Sequence, residues 1–430
     1  VTSKARDLVK RLGRLGVPTN LRRHPNTVVA LGDSRAAQIH ADGIFKNKTG
    51  YNHFSVGNAL AGNRAILLRN FGVSGDRTDQ ILTRLKPAID TGAYVLYIIA
   101  GCNDIAQNYP TATTSGVTAF ANIKLMIDAG VDNGMLPLVV LEPGANNMTP
   151  AMIGQLMILQ ELLREYAETC PHMVLFDLPA AIYNMAATST TALALLGTVD
   201  GVHEGSLGGY LGGKAFAQIL TAIMPPRPHG FRSAVENTTN SPLNLTVNPM
   251  FTGLDTGTVG AGLTGKIATG FVGSRAGGAT AIASVSAAAD GSGLWEQVLQ
   301  CTFTAAGDEV NVHQDVPTTL WNNGEILQSH AEVVVDAGSV NLCGAYLYLQ
   351  ANGTIGGSSV AITAMDGYVN GTQHGVTTTE GFRLNYSTEK LIVPNYDVKS
   401  WVTAHVKVVG AGAGTATVRV RRFGVRKRFA

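Results

Sequence analysis

Four short stretches carry side chains suited to acyl chemistry. The first is Leu31-Gly32-Asp33-Ser34, where a hydroxyl follows an apolar run and a helical pattern begins at Arg35. A serine in such a turn becomes a nucleophile when an imidazole reaches its Oγ, and a helix start favours developing negative charge. The same serine could serve only as an N-cap. The second and third stretches, Asn70-Phe71-Gly72-Val73-Ser74-Gly75-Asp76 and Gly101-Cys102-Asn103-Asp104, offer hydrogen-bond donors. The Gly75 N–H is unshielded by any side chain, and Asn103 carries an amide. With the Ser34 N–H these make three donors for a tetrahedral oxyanion; a tight turn and a cap are the plainer roles of Gly75 and Asn103. The fourth stretch, Val199-Asp200-Gly201-Val202-His203, sets an acid three residues before an imidazole. That spacing lets Asp200 hold Nδ1 while Nε2 faces Ser34 as a general base.

Taken together, GDS at Ser34, the glycine block ending at Gly75, GxND at Asn103 and DxxH at Asp200 and His203 resemble the blocks of the SGNH, or GDSL, hydrolases, in the family's order. The resemblance implies a flavodoxin-like α/β three-layer sandwich and a serine esterase. In it Ser34 is the nucleophile, His203 the base and Asp200 its orienter, with Ser34, Gly75 and Asn103 forming the oxyanion hole. One departure stands out, because Arg35 occupies a position where the family usually has Leu or a similar apolar residue. Arg35 is expected to face solvent from the first helical turn, with a place at the pocket rim as the alternative. Asp104 is expected to hold its loop as a hydrogen-bond acceptor. His40, His53 and His172 lack an acidic partner nearby in sequence and read as surface or packing residues.

These residues need a scaffold. From Thr27 to Leu31, Ala65 to Leu68, Tyr94 to Ala100, Leu136 to Leu141 and Met173 to Phe176, apolar β-branched runs alternate with helix-length segments. That alternation predicts a parallel five-stranded sheet with helices on both faces, and chemistry at the carboxyl ends of its strands. The catalytic domain is expected over residues 25–226, preceded by a basic amphipathic helix or linker over 1–24 and followed by a proline-stiffened linker over 227–244. Beyond it, residues 245–430 show short strand patterns without helices, predicting an all-β jelly roll or β-sandwich. This half resembles the carbohydrate-binding-like jelly rolls of secreted and phage-borne polysaccharide enzymes. Its Trp295, Trp321 and Trp401 are candidates either for the core or for stacking on sugar rings. The closing Arg419, Arg421, Arg422, Arg426, Lys427 and Arg428 could meet an acidic polysaccharide or a neighbouring subunit, or protect a strand edge.

Composition narrows the partners. In 430 residues, 32 Lys and Arg balance 30 Asp and Glu, and only 14% are charged. Such cancellation argues against a generally basic nucleic-acid binder and against an acidic disordered chain. No run reaches the ~18 apolar residues of a membrane span. The start at Val1 without Met leaves the question of a signal segment open. The cysteines, Cys102, Cys170, Cys301 and Cys343, show no metal spacing; Cys301 and Cys343 read as buried side chains, with a bridge as the alternative. No cofactor and no metal are expected. Small polar loops, Gln107 to Thr111 and Pro143 to Asn147, suit a hydroxyl-rich alcohol better than a long acyl chain. The expected substrate is an O-acetylated polysaccharide, with nucleic acid and membrane excluded as partners. The setting is secreted or virion-borne, similar to the deacetylating parts of phage tail fibres and tailspikes, as a homotrimer or beside other virion proteins. A lipase or thioesterase and a non-catalytic glycan-binding protein are the alternatives.

Overall fold

The computed structural model describes residues 23–41, 45–227, 230–253, 255–371 and 373–429, so the basic segment expected over 1–24 lies almost wholly outside the described residues. The chain divides into two units, Val1–His40 with Asn52–Pro226, and Ala41–Tyr51 with Arg227–Ala430.

In the first unit the strands β1 (Thr27–Gly32), β2 (Ile66–Gly72), β3 (Val95–Ile99), β4 (Leu136–Val140) and β5 (Val174–Phe176) form a parallel sheet in the order β2-β1-β3-β4-β5. Every residue of β1, β3 and β4 is buried, which explains their unbroken apolar sequence: both faces are covered. On one face Val29, Leu31, Leu96, Ile98 and Val139 pack against helices α4 (Ser115–Asp132) and α5 (Pro150–Thr169). On the other, Val28, Ala30, Tyr97, Ile99 and Val140 pack with Phe54 of α2 (His53–Leu60) and with Phe216 and Leu220 of α6 (Ser206–Ile223). The result is a three-layer α/β/α unit with the strand order of flavodoxin-like sheets. Two short helices, α1 (Ser34–Ala37) and α3 (Cys102–Ala106), begin at the carboxyl ends of β1 and β3. Gly32 closes β1 because a Cβ there would collide with the Ile99 carbonyl oxygen and with Ala36. No described helix is long and apolar enough to cross a membrane.

The second unit is rich in strands. Its principal ones are β6 (Ile267–Ala276), β7 (Thr280–Ala287), β8 (Trp295–Phe303), β9 (Ala306–Val316), β10 (Ile326–Val335), β11 (Ser339–Ile355), β12 (Ser358–Tyr368) and β13 (Val398–Arg428). The long β13 pairs antiparallel with β8, β9, β10 and β11 along its length and so joins the unit together. Residues Ala41–Tyr51, expected inside the catalytic span, belong here instead. Their Phe45–Thr49 strand runs parallel to β12, and Lys48 Nζ lies 3.5 Å from the buried Asp366 carboxylate. A strand edge gains a partner, and the buried Asp366, which also accepts the Ser387 N–H at 2.7 Å, gains a cation. The linker expected over 227–244 is likewise drawn in, since the Leu245 N–H donates to Val425 O at 2.9 Å and the Lys427 N–H to Leu243 O at 2.8 Å.

The basic carboxyl-terminal cluster does not stand free. Arg419 and Arg421 pair with Glu296, Arg419 also with Asp336, Arg426 with Glu236, and Lys427 with Glu325. The carboxylates come from segments distant in sequence, which is why the sequence alone shows only the cations. Cys301 and Cys343 are buried and not bridged to each other, and the Cys343 thiol donates to Asn370 O at 2.9 Å. Trp321 is fully buried and Trp295 half-buried, whereas Trp401 is 37% exposed.

Glu296 is fully buried, and its Oε2 meets Arg421 at 2.8 Å. Arg421 keeps Asp290 at 2.7 Å and Arg419 keeps Asp336, so Glu296→Ala removes charge-assisted hydrogen bonds without stranding a cation and should lower the unfolding free energy of the strand-rich unit by about 1.5–3 kcal/mol. Urea titration followed by circular dichroism checks this; a loss below about 1 kcal/mol would place the pair in the solvated class.

Candidate active site

Asp33 caps α1 by accepting the Arg35 N–H at 3.0 Å, which sets Ser34 as the first helical residue immediately beyond β1. The loop before α6 brings His203 to it: Nε2 lies 2.8 Å from Ser34 Oγ, and Nδ1 lies 2.6 Å from Asp200 Oδ2. A neutral ring in this geometry donates from Nδ1 to the carboxylate and accepts the serine proton at Nε2. Asp200 Oδ1 in turn accepts the backbone N–H groups of Val202 at 2.9 Å and His203 at 2.7 Å. Partial burial pushes the Asp200 carboxyl up, but the hydrogen bonds from the His203 ring and these two amides outweigh it and hold it at about 2. The acid is therefore ionised and oriented. The site is open, with the His203 and Asp200 side chains 24% and 50% exposed.

The two loops expected to supply donors lie beside this chain and are tied to each other. Gly75 adopts φ +83°, a conformation natural to glycine, and a Cβ there would meet open space. From α3 the Asn103 amide donates to Asp76 O at 3.1 Å and lies 3.5 Å from Asp33 Oδ2. One turn on, Gln107 donates to Gly75 O at 2.8 Å, so one face of α3 holds two successive carbonyls of the glycine loop. Among the described residues, neither the Ser34 N–H nor the Gly75 N–H donates to a protein acceptor. Asp104 accepts from the Thr78 N–H at 2.9 Å and its hydroxyl at 2.6 Å, the loop-holding role expected of it.

Arg35 corrects the sequence reading. It is 2% exposed, not solvated, and its guanidinium meets Glu142 at 2.5 Å, Gly144 O at 2.5 Å and Val202 O at 2.7 Å. Burial alone pulls its pKa down, but Glu142 and the neighbouring acids raise it further, so the cation persists. Burial, together with Asp33 and Glu204, pushes the Glu142 carboxyl up, and the Arg35 guanidinium at 2.5 Å pulls it back down. The consequence is mechanical: the residue after the serine grips the carbonyl of the residue before His203. A second buried set lies on the opposite side of the loop. His53, read from sequence as unpartnered, has Nδ1 2.7 Å from Glu204 and Nε2 2.8 Å from the Tyr97 hydroxyl, and its backbone N–H donates to Glu204 at 2.7 Å. Burial raises the Glu204 carboxyl, but the His53 contacts outweigh it and bring it below the ordinary range. Val202 and Glu204 are thus clamped on either side of His203. The signal available in sequence was Arg35 itself, a charged residue in an otherwise apolar position.

No protein-family model matches the chain, and no curated protein matches it. Solved structures similar to it cover about half its length. They include a putative lipolytic protein of the G-D-S-L family from Desulfitobacterium hafniense DCB-2, with 17% identity over 45% of this chain and 99% of that one, at a TM-score of 0.36. A GDSL-like lipase from Bacteroides thetaiotaomicron VPI-5482 shows 17% identity over 50% and 96%, at 0.35. A variant acetyl-xylooligosaccharide esterase from Geobacillus Stearmophilus shows 16% identity over 48% and 99%, at 0.36.

Because Arg35 fixes the backbone that carries His203, Arg35→Leu should lower kcat/KM on any substrate turned over at Ser34 by about 10–100-fold, the cost of displacing a reacting group by an ångström or less. Arg35→Lys should fall between, since an ammonium cannot reproduce a planar fork serving three acceptors. Steady-state kinetics beside a melting curve checks both; equal rates in all three forms would remove Arg35 from the positioning of His203.

Proposed function

We propose that this protein is a serine carboxylic ester hydrolase of the SGNH (GDSL) type, acting on O-acetyl groups of a polysaccharide. The hydrogen-bonded sequence Ser34 Oγ, His203 ring, Asp200 carboxylate carries the reading. In the mechanism, His203 Nε2 takes the Ser34 proton as Oγ attacks the ester carbonyl. Asp200 stabilises the imidazolium, and the Ser34 N–H, the Gly75 N–H and the Asn103 amide receive the oxyanion. His203 then protonates the leaving sugar hydroxyl, and a water activated by the same ring hydrolyses the acyl-enzyme.

A short acyl group and a large polar alcohol suit the surroundings. The triad is partly exposed, and Gln107, Asn108, Asn146 and Asn147 are exposed polar residues of the loops after β3 and β4. A long-chain lipase would instead need a continuous apolar channel to hold its acyl group. In this proposal the strand-rich unit is a jelly-roll-like accessory for the polymer. The protein is secreted or virion-borne, as a homotrimer or with other virion proteins, and an acetylated polysaccharide is its partner.

Acetate release from acetylated xylan and acetylated bacterial polysaccharides, measured beside hydrolysis of p-nitrophenyl acetate and p-nitrophenyl decanoate, tests both parts. Ser34→Ala should lose about 10⁴–10⁶-fold in kcat and Asp200→Asn about 10⁴-fold. Asn103→Ala should lose about 10²–10³-fold, as expected for one oxyanion donor. Activity that survives Ser34→Ala would overturn the nucleophile; preference for the decanoate would overturn the acetyl substrate.

A further inference from the structure

One sheet face of the strand-rich unit has an unusual composition. Along β13, Val402, Ala404, Val406 and Val408 are fully buried, as are Val310 and Val312 of β9 and Leu347 and Leu349 of β11. The alternate residues point to the other face, where cross-strand register sets them in rows. Asn311, Lys407 and Tyr346 stand side by side, then His313, His405 and Tyr348, then Asp315, Thr403 and Gln350, with Trp401 beside Asn352 at the end. A solvated antiparallel face is commonly built of aliphatic-stemmed ions and threonines. This one carries an indole, two imidazoles and two phenols among amides and hydroxyls; Asn311, Tyr346 and Thr403 are buried, so its open part lies around Tyr348, His405, Asp315 and Trp401.

The rings are held in place. His313 and His405 stack with centroids 4.5 Å apart, Tyr348 meets His405 edge-on at 5.4 Å, and Lys407 lies over Tyr348 while pairing with Glu309 at 2.9 Å. At the Trp401 end the face dips into a cleft of about 550 Å³, lined by Asp315, Thr318, Ser400, Trp401, Thr403 and His405. Lys399 braces its wall by donating to Thr318 O and Trp321 O, both at 2.7 Å. Asp315 and Ser400 are exposed, and among the described residues Asp315 has no ion-pair partner.

We propose that this face is a binding site for an uncharged oligosaccharide, with Trp401 as the stacking platform and Asp315 and Ser400 as acceptors for sugar hydroxyls. A pyranose presents C–H groups on its face and hydroxyls at its edge, which matches an indole bordered by a carboxylate and a hydroxyl. His313, His405 and Tyr348, held by one another beside Trp401, lose little freedom on binding. Charge selects the class of glycan: Glu309 neutralises Lys407, and Lys399 in the cleft wall offsets Asp315, so no net positive charge is left to draw an acidic polymer. A second copy of the chain is the poorer match, because the core of a subunit interface is apolar, whereas the apolar cluster of Tyr346, Val369 and Val409 is already buried and the residues around Trp401 are polar. The proposal stands whether or not Ser34 is a nucleophile.

The test uses the full chain carrying Ser34→Ala, so that no ester chemistry enters. It is titrated calorimetrically with xylohexaose, cellohexaose, maltohexaose and, as an acidic control, hexagalacturonate. At least one neutral hexasaccharide should bind saturably, with Kd raised about tenfold or more by Trp401→Ala and raised also by Asp315→Ala. Trp401→Phe, which keeps a ring, should restore part of the affinity and serves if the alanine variant melts early. Binding to none of the neutral sugars overturns the proposal, as does affinity unchanged in both Trp401→Ala and Asp315→Ala. Tighter binding of hexagalacturonate overturns the uncharged class. Concentration-dependent self-association in sedimentation, abolished by Trp401→Ala, would reassign the face to contact between copies.

Discussion

The contact between Ser34 Oγ and His203 Nε2 spans 169 residues of chain, and the architecture of the first unit serves to hold it at 2.8 Å. Neither residue lies in a long element. Ser34 opens a helix of four residues, and His203 sits in a loop before α6. Short elements hold position poorly on their own, so the precision must come from what grips them. The sheet supplies the first grip: β1 is buried along its whole length, and its last residue, Gly32, is fitted against β3 with no room for a side chain.

The second grip is a layer of buried polar groups under the site. Arg35 and Glu142 are each almost wholly buried, and such a pair is costly unless its hydrogen bonds are met. Here the guanidinium also serves Gly144 O and Val202 O, so the burial that makes the charge costly also makes its geometry well defined. Glu204, His53 and Tyr97 perform the corresponding task on the other side of His203. The buried Asp104, beside Asn103, does so by holding Thr78 at the end of the glycine loop. Displacing any of these would leave a desolvated polar atom, and that penalty stiffens the site.

The second unit meets related constraints differently. Its centre is a single long strand, β13, whose alternate residues divide between an apolar core and a polar, ring-rich face. Its cations are answered by carboxylates from segments distant in sequence, so the basic carboxyl-terminal sequence is largely neutralised within the fold. The small net charge of the chain therefore reflects local pairing as well as composition.

Much of the first unit was legible in residue order. Continuous apolar runs betray strands buried on both faces; Ser34, Gly75 and Asn103 follow such strands closely, Asp200 and His203 stand before α6, and local spacing made them candidates that the family resemblance joined into one site. Chemistry set by residue type and by a spacing of three or four residues is written in sequence because backbone geometry is local. What the tertiary structure decided is non-local. Arg35 reads as a solvated helix residue until Glu142, Gly144 and Val202 arrive around it. His53 reads as unpartnered until Glu204 does. The Phe45–Thr49 strand looks like part of the first unit until β12 offers an edge. In each case a polar group or strand edge must be satisfied, and sequence names the need but not the partner, because the partner is chosen by which distant segments pack together.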